Sequence, residues 1–149
     1  KQQGLLIATP GDTVDYEFIR QKIKDLSKIY SIEEVAYDPW NGSQLNQDLK
    51  NDGFEMVVFR QNFTNMSPAT KNFQIATLKK KICHGNHPIS NWCASNMILV
   101  MDAKGNVMPD KQKSTEKIDG MVSAIEALDR AMRHEGKTST YETNGVREV

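Results

Sequence analysis

Two aspartates stand where a carboxylate can do chemistry. Asp38 closes the β-prone run EVAYD and is followed at once by Pro39-Trp40, and Asp119 lies in KIDGMVSAIEAL, in the first turn of a predicted helix. Hard divalent cations such as Mg²⁺ take oxygen ligands, usually one or two carboxylates completed by waters and substrate phosphate oxygens. Two such ions about 4 Å apart can activate a water and stabilise the leaving oxygen of a phosphodiester. Aspartates also cap helices and offset the helix dipole routinely, so the pair alone is ambiguous. Two details favour a site. Asp119 adjoins Ile118 of an apolar stripe and precedes Gly120, whose missing side chain lets backbone or DNA approach closely, and Pro39-Trp40 makes a stiff, bulky exit from the strand.

Cations gather near the second aspartate. Asp110, Lys111, Lys113 and Lys117 flank the last helix, where the lysines could meet DNA phosphates or simply form a solvated basic turn. Lys79-Lys80-Lys81 ends a predicted helix, a place the dipole already favours for cations. Cys83, His84, His87 and Cys93 are zinc-type ligands, but they crowd into a short stretch read as mostly irregular, unlike the two separated pairs of structural sites. Arg60 and Gln61 end the EMVVF run on the sheet edge assigned to Asp38 and could touch substrate or only close a strand. Trp40 and Trp92 follow structural punctuation, and packing explains them more simply than base stacking.

Several elements would have to position the two carboxylates. GLLIAT (Gly4 to Thr9), closed by Pro10-Gly11, reads as a buried strand. Ile19, Ile23, Leu26 and Tyr30 recur at helical spacing over Asp15 to Tyr30, with Thr13 as expected cap. Strand EVAYD, a short helix over Ser43 to Asn51, strand EMVVF and a helix capped at Ser67-Pro68 and running through Ile75, Leu78 and Ile82 follow. MILVM, the turn DAKGN and Val107-Met108-Pro109 predict a hairpin. A last helix, capped by Ser114 or Thr115, carries Ile118, Met121, Val122, Ile125, Leu128 and Met132 on one face. Alternation of this kind argues for an α/β sheet with crossover helices, whose crevice beyond the strand ends could unite Asp38 with a distant helix terminus.

Composition sets bounds. A chain of 149 residues, 38% of them hydrophobic, suits one core, read as a domain over residues 1–135 with a flexible tail over 136–149. Nineteen Lys+Arg balance nineteen Asp+Glu, so no strong overall field attracts nucleic acid, and local charge or metal would have to hold it. No apolar run approaches a membrane span and no secretory h-region opens the chain, which gives a cytoplasmic reading without a membrane partner. Two cysteines are too few for a disulfide framework.

Taken in order, YDPW, GFEMVVFRQNFTNMSPATK, HPISNWCASN and PDKQKSTEKIDGMVSAIEAL resemble the C-terminal nuclease domain of tailed-phage large terminase subunits, over roughly Val14 to Arg130. The resemblance implies an α/β, RNase H-like mixed sheet flanked by helices. It also implies a DNA endonuclease that uses Mg²⁺ or Mn²⁺, with two ions in a complete domain. Asp38 matches the family's second acid and Asp119 the acid on the final helix. The family's first acid lies on a first strand, in a Gly-x-Asp-type motif upstream of anything corresponding to Gly4–Thr9. The sheet is therefore expected to lack its first strand or strands and the site one carboxylate, and this chain by itself could be inactive. Implied partners are double-stranded DNA, the terminase ATPase domain, the small terminase subunit and the portal, in host cytoplasm. No G-x-x-x-x-G-K-[ST] phosphate loop occurs in the sequence, so the chain carries no motor of its own. Two alternatives remain open at the level of sequence: another RNase H-like enzyme such as a resolvase or integrase, and a noncatalytic DNA-binding or docking remnant whose acids are structural.

Overall fold

A computed structural model describes residues 5–9, 11–40 and 43–134. The expected tail at 136–149 lies outside the described residues, as do Gly4 and Pro10 of the expected first strand and its turn. Residues 5–9 form no strand, and Leu6 and Ile7 are more than half exposed. An apolar run becomes a strand only where a neighbour takes up its backbone groups, and none of the described strands pairs with it.

Helix α1 (Tyr16–Ser27) is capped by Asp15 rather than Thr13, the Asp15 carboxylate accepting from the Phe18 amide at 2.9 Å. Its Arg20 guanidinium grips Asp52 through Nε at 2.6 Å and a second nitrogen at 2.7 Å, joining α1 to the residue just past α2. Strand β1 (Val35–Tyr37), helix α2 (Ser43–Asn51) and strand β2 (Met56–Val58) form a parallel crossover unit, with Val35 opposite Met56 and Tyr37 opposite Val58. Leu49 is buried on α2, while Gly53 takes a φ of 95° as the chain turns back toward β2.

Helix α3 (Phe63–Leu78) begins earlier than Ser67-Pro68 suggests. Asn62 caps it by accepting from Asn65 N at 3.0 Å, and Pro68 sits inside the helix. The proline removes one backbone hydrogen bond, but burial of Met66, Ala69 and Thr70 on either side holds the helical path. Helix α4 (Pro88–Asn96), in a stretch read as irregular, starts with proline at its first position, the place where the lost N–H costs nothing. Strands β3 (Leu99–Met101) and β4 (Val107–Pro109) make the expected antiparallel hairpin, in a sheet of their own.

Helix α5 (Asp119–His134) lies across both halves, touching α3, α4 and β1. Ser114 does not cap it. Its hydroxyl donates to the Asp110 carbonyl at 2.6 Å and accepts from Ile98 N at 3.1 Å, lacing the 110–118 loop to the hairpin. Phe59, Met66, Ala69, Ile118, Val122 and Ile125 form the core, with Ala36, Phe73, Met97 and Met108 packed on it. The buried face of α5 is rotated from the apolar stripe: Met132 is 40% exposed, whereas Glu126 and Asp129 are buried. Polar partners permit this, Gln61 for Glu126 and Arg133 for Asp129.

Candidate active site

Asp38 follows β1 directly, and its Oδ1 accepts from the Trp40 amide at 3.0 Å. That turn orients the carboxylate at the strand end, and among the described residues its other oxygen has no hydrogen-bond partner. Trp40 itself is 90% exposed, so the packing role expected of it is not what the structure shows. Asp119 is the first residue of α5, where a carboxylate also gains from the helix dipole.

Lys111 reaches Asp119 with Nζ to Oδ1 at 3.0 Å. Its ammonium, opposed by partial burial, holds the Asp119 carboxyl below the usual range, and Lys117 adds to the effect. The lysine is presented by a turn in which Asp110 Oδ1 accepts from the amides of Gln112 and Lys113 at 2.8 and 3.0 Å. Of the three lysines expected near phosphate, Lys111 and Lys117 therefore act electrostatically on Asp119. Lys113 is exposed and contributes its backbone to the turn.

A third carboxylate lies on α5. Glu126, two turns along α5 from Asp119, is only 8% exposed, and its Oε1 accepts from Gln61 Nε2 at 3.0 Å. Burial pushes its carboxyl up, Gln61 and the positive charge of Lys111 oppose that shift, and the negative charge of Asp38 adds to it. Asp38 at the strand end and Asp119 and Glu126 on α5 do not converge into one ligand cluster among the described residues. Sequence reading placed Gln61 at this sheet edge but missed Glu126. Its seven-residue spacing from Asp119, which puts both on one helix face, is the signal that could have found it.

Oxygen donors alone make up this set, the chemistry that suits a hard divalent cation rather than zinc. Among the described residues, no three His, Cys, Asp or Glu side chains converge tightly enough to hold a metal unaided. Mg²⁺ does not require them to, because waters and substrate phosphates fill most of its shell. The zinc-type residues differ in setting: Cys83 is exposed, Cys93 is buried beside Gly120 of α5, and His87 precedes α4 with a buried Nδ1 that has no hydrogen-bond partner among the described residues.

A groove is lined by Ile23 of α1, residues 32–36 and α5 residues that include Glu126, Arg130 and His134; Asp38 and Asp119 are not among its lining.

Residues 1–135 match the family described as the terminase large subunit, endonuclease domain. The chain belongs to that family. It is similar to the terminase large subunit of Enterobacteria phage HK97, with 37% identity across 82% of this chain and 25% of that protein. It is also similar to protein YmfN of Escherichia coli K12, at 33% identity across 99% of this chain and 34% of that protein. The crystal structure of the HK97 large terminase superposes with a TM-score of 0.76 at 36% identity, covering 83% of this chain and 26% of that one. The chain therefore spans about a quarter to a third of the relatives it matches. The mixed α/β, RNase H-like fold expected from the sequence is the fold of this terminase endonuclease domain. Among the described residues no helix is long and apolar enough to cross a membrane.

Proposed function

We propose that the chain is the metal-dependent DNA-cutting part of a packaging terminase, hydrolysing phosphodiester bonds of concatemeric double-stranded DNA. The supporting observation is membership of an endonuclease family, together with Asp38 at a strand end and Asp119, ion-paired with Lys111, at the start of the last helix. Asp38 and Asp119 would hold Mg²⁺ or Mn²⁺, in a two-ion arrangement when the site is complete. Such ions, when bound, would supply a nucleophilic water and neutralise the leaving oxygen.

The protein's own contributions are positional. The Trp40 amide orients Asp38. Lys111 keeps Asp119 ionised and, with Lys113 and Lys117, offers positive charge to the phosphates flanking the cut. In a packaging complex the ATPase domain, small subunit and portal would deliver the DNA, which suits a chain of zero formal net charge.

A noncatalytic DNA-binding or docking role is the second reading, favoured by the lack of three converging ligands among the described residues. Nicking of supercoiled plasmid separates the two. The nuclease reading expects relaxation only with Mn²⁺ or Mg²⁺, lost in Asp38→Ala and Asp119→Ala with circular dichroism unchanged. Metal-dependent nicking that survives both substitutions would refute it.

A further inference from the structure

Strand β1 has a partner on one edge only. In its parallel ladder with β2 the Val35 amide donates to the Glu55 carbonyl and the Tyr37 carbonyl accepts from the Phe59 amide, both at 2.8 Å. Residues 35 and 37 therefore address β2, and the N–H and C=O of Ala36 between them point the other way. Among the described residues no strand meets that second edge. Residues 34–36 nevertheless line the groove shared with α1 and α5, and no residue of β2 does. Glu34 and Ala36 face α5, the first through Arg130 and the second by packing on the core, so alternation turns Val35 to the opposite face. From α5 come Ser123, Ala127 and Ala131, small, exposed and four residues apart, which leaves room for a backbone beside the strand.

The charge of the groove is unbalanced. Glu34 is matched by Arg130 and His134, whereas Glu33 and Glu126 meet no cation among the described residues. Glu126 is more than nine-tenths buried and receives one hydrogen bond, from the neutral Gln61 amide, although a buried carboxylate is normally paired with a cation. We propose that the open edge of β1 takes up an extended polypeptide segment as an added strand, its alternate residues apolar and lysine or arginine, with a cation meeting Glu126. Main-chain hydrogen bonds to Ala36 would supply affinity and the alternating side chains selectivity. A second copy of this chain fits the edge less well. Antiparallel pairing of β1 with itself about Ala36 sets Glu34 opposite a second Asp38 on both sides, and like charges directly opposite destabilise a sheet. The inference is independent of any metal chemistry at Asp38 and Asp119.

The test mixes the whole chain with a short fluorescein-labelled peptide of alternating valine and lysine, beside one of alternating valine and glutamate. Fluorescence anisotropy should show the lysine peptide binding and the glutamate peptide binding at least about tenfold more weakly, because juxtaposed like charges oppose association. Glu126→Gln keeps an acceptor for Gln61, removes the charge and should weaken the lysine peptide by about tenfold. Ala36→Pro deletes the outward amide and spares the β2 ladder, a setting in which an edge strand tolerates proline. Ala127→Phe fills the groove from an exposed position on α5 without altering the strand. Both should abolish binding, with urea midpoints near that of wild type. Nuclear magnetic resonance should show hydrogen exchange at the Ala36 amide slowing when the lysine peptide is added. No binding of the lysine peptide, binding that survives Ala127→Phe, or exchange at Ala36 that the peptide leaves unchanged overturns the proposal. Self-association of the free chain in sedimentation, blocked by Ala127→Phe, would overturn it in favour of a second copy.

Discussion

Replacing Glu34 by glutamine should remove one of the main links that hold α5 over β1. Glu34 lies immediately before β1 with its side chain 8% exposed, and both its oxygens are occupied by α5. Arg130 Nε and a second guanidinium nitrogen grip it, the latter at 2.9 Å, and His134 Nε2 donates at 2.9 Å. The Arg130 guanidinium, aided by His134 and opposed by burial, depresses the Glu34 carboxyl from 4.5 to about 2. A depression of that size corresponds to about 3 kcal/mol of folding stability at neutral pH.

The sign follows from the direction of the shift. Because the folded state holds the proton less tightly than the unfolded chain, the stabilisation is complete above about pH 5 and is lost as pH falls from 4.5 toward 2. By the same linkage, wild type should exceed Glu34→Gln by about 3 kcal/mol at pH 7 and by about 1 kcal/mol at pH 3. Urea denaturation followed by circular dichroism at the two pH values measures both differences. A gap below about 0.5 kcal/mol at pH 7, the level of an ordinary surface substitution, would refute the clamp. A gap that did not shrink on acidification would refute its ionic origin.

Three further outcomes follow from the packing. Ile125 is fully buried in the core, so Ile125→Ala should cost about 2–5 kcal/mol in the same denaturation assay. Asn62→Ala removes the cap of α3 and should cost about 1 kcal/mol, read as a shift in urea midpoint without a change in slope. A methyl at Gly120 would sit 3.5 Å from Cys93 Sγ, an ordinary contact, so Gly120→Ala should stay folded and gain up to about 1 kcal/mol of helix propensity. Urea denaturation checks this, and a loss of stability would show that α4 cannot accommodate the methyl beside Cys93.

The sequence made the crossover unit, the hairpin and the last helix legible because each is a periodic apolar run bounded by a turn or proline. It misjudged elements whose outcome depends on distant partners. GLLIAT looks like a buried strand, yet residues 5–9 find no paired edge among the described strands. Ser67-Pro68 looks like a helix start, yet Asn62 caps α3 first and core burial carries the helix through the proline. His87-Pro88 is itself a helix-start signal, obscured by the competing zinc motif. Asp38 and Asp119 could be singled out by their positions at a strand end and a helix start. Glu126 shares a helix face with Asp119 by spacing, but its burial was not legible, since a glutamate within an apolar stripe ordinarily faces solvent and its partner Gln61 is distant in sequence. The clamp of Glu34 by Arg130 and His134 spans most of the chain and left no local pattern.

Iron-mediated affinity cleavage addresses the pairing of Asp38 and Asp119 most directly, because Fe²⁺ can replace Mg²⁺ and, with ascorbate and peroxide, cuts backbone close to where it binds. Peptide mapping of the wild type should show two clusters of cuts, one at the β1 exit around Asp38 and one at the start of α5 around Asp119. Both should be suppressed by excess Mg²⁺ and both lost in Asp38→Asn. Cuts at only one of the two segments, or two clusters that persist in Asp38→Asn, would contradict a single cation site built from both carboxylates.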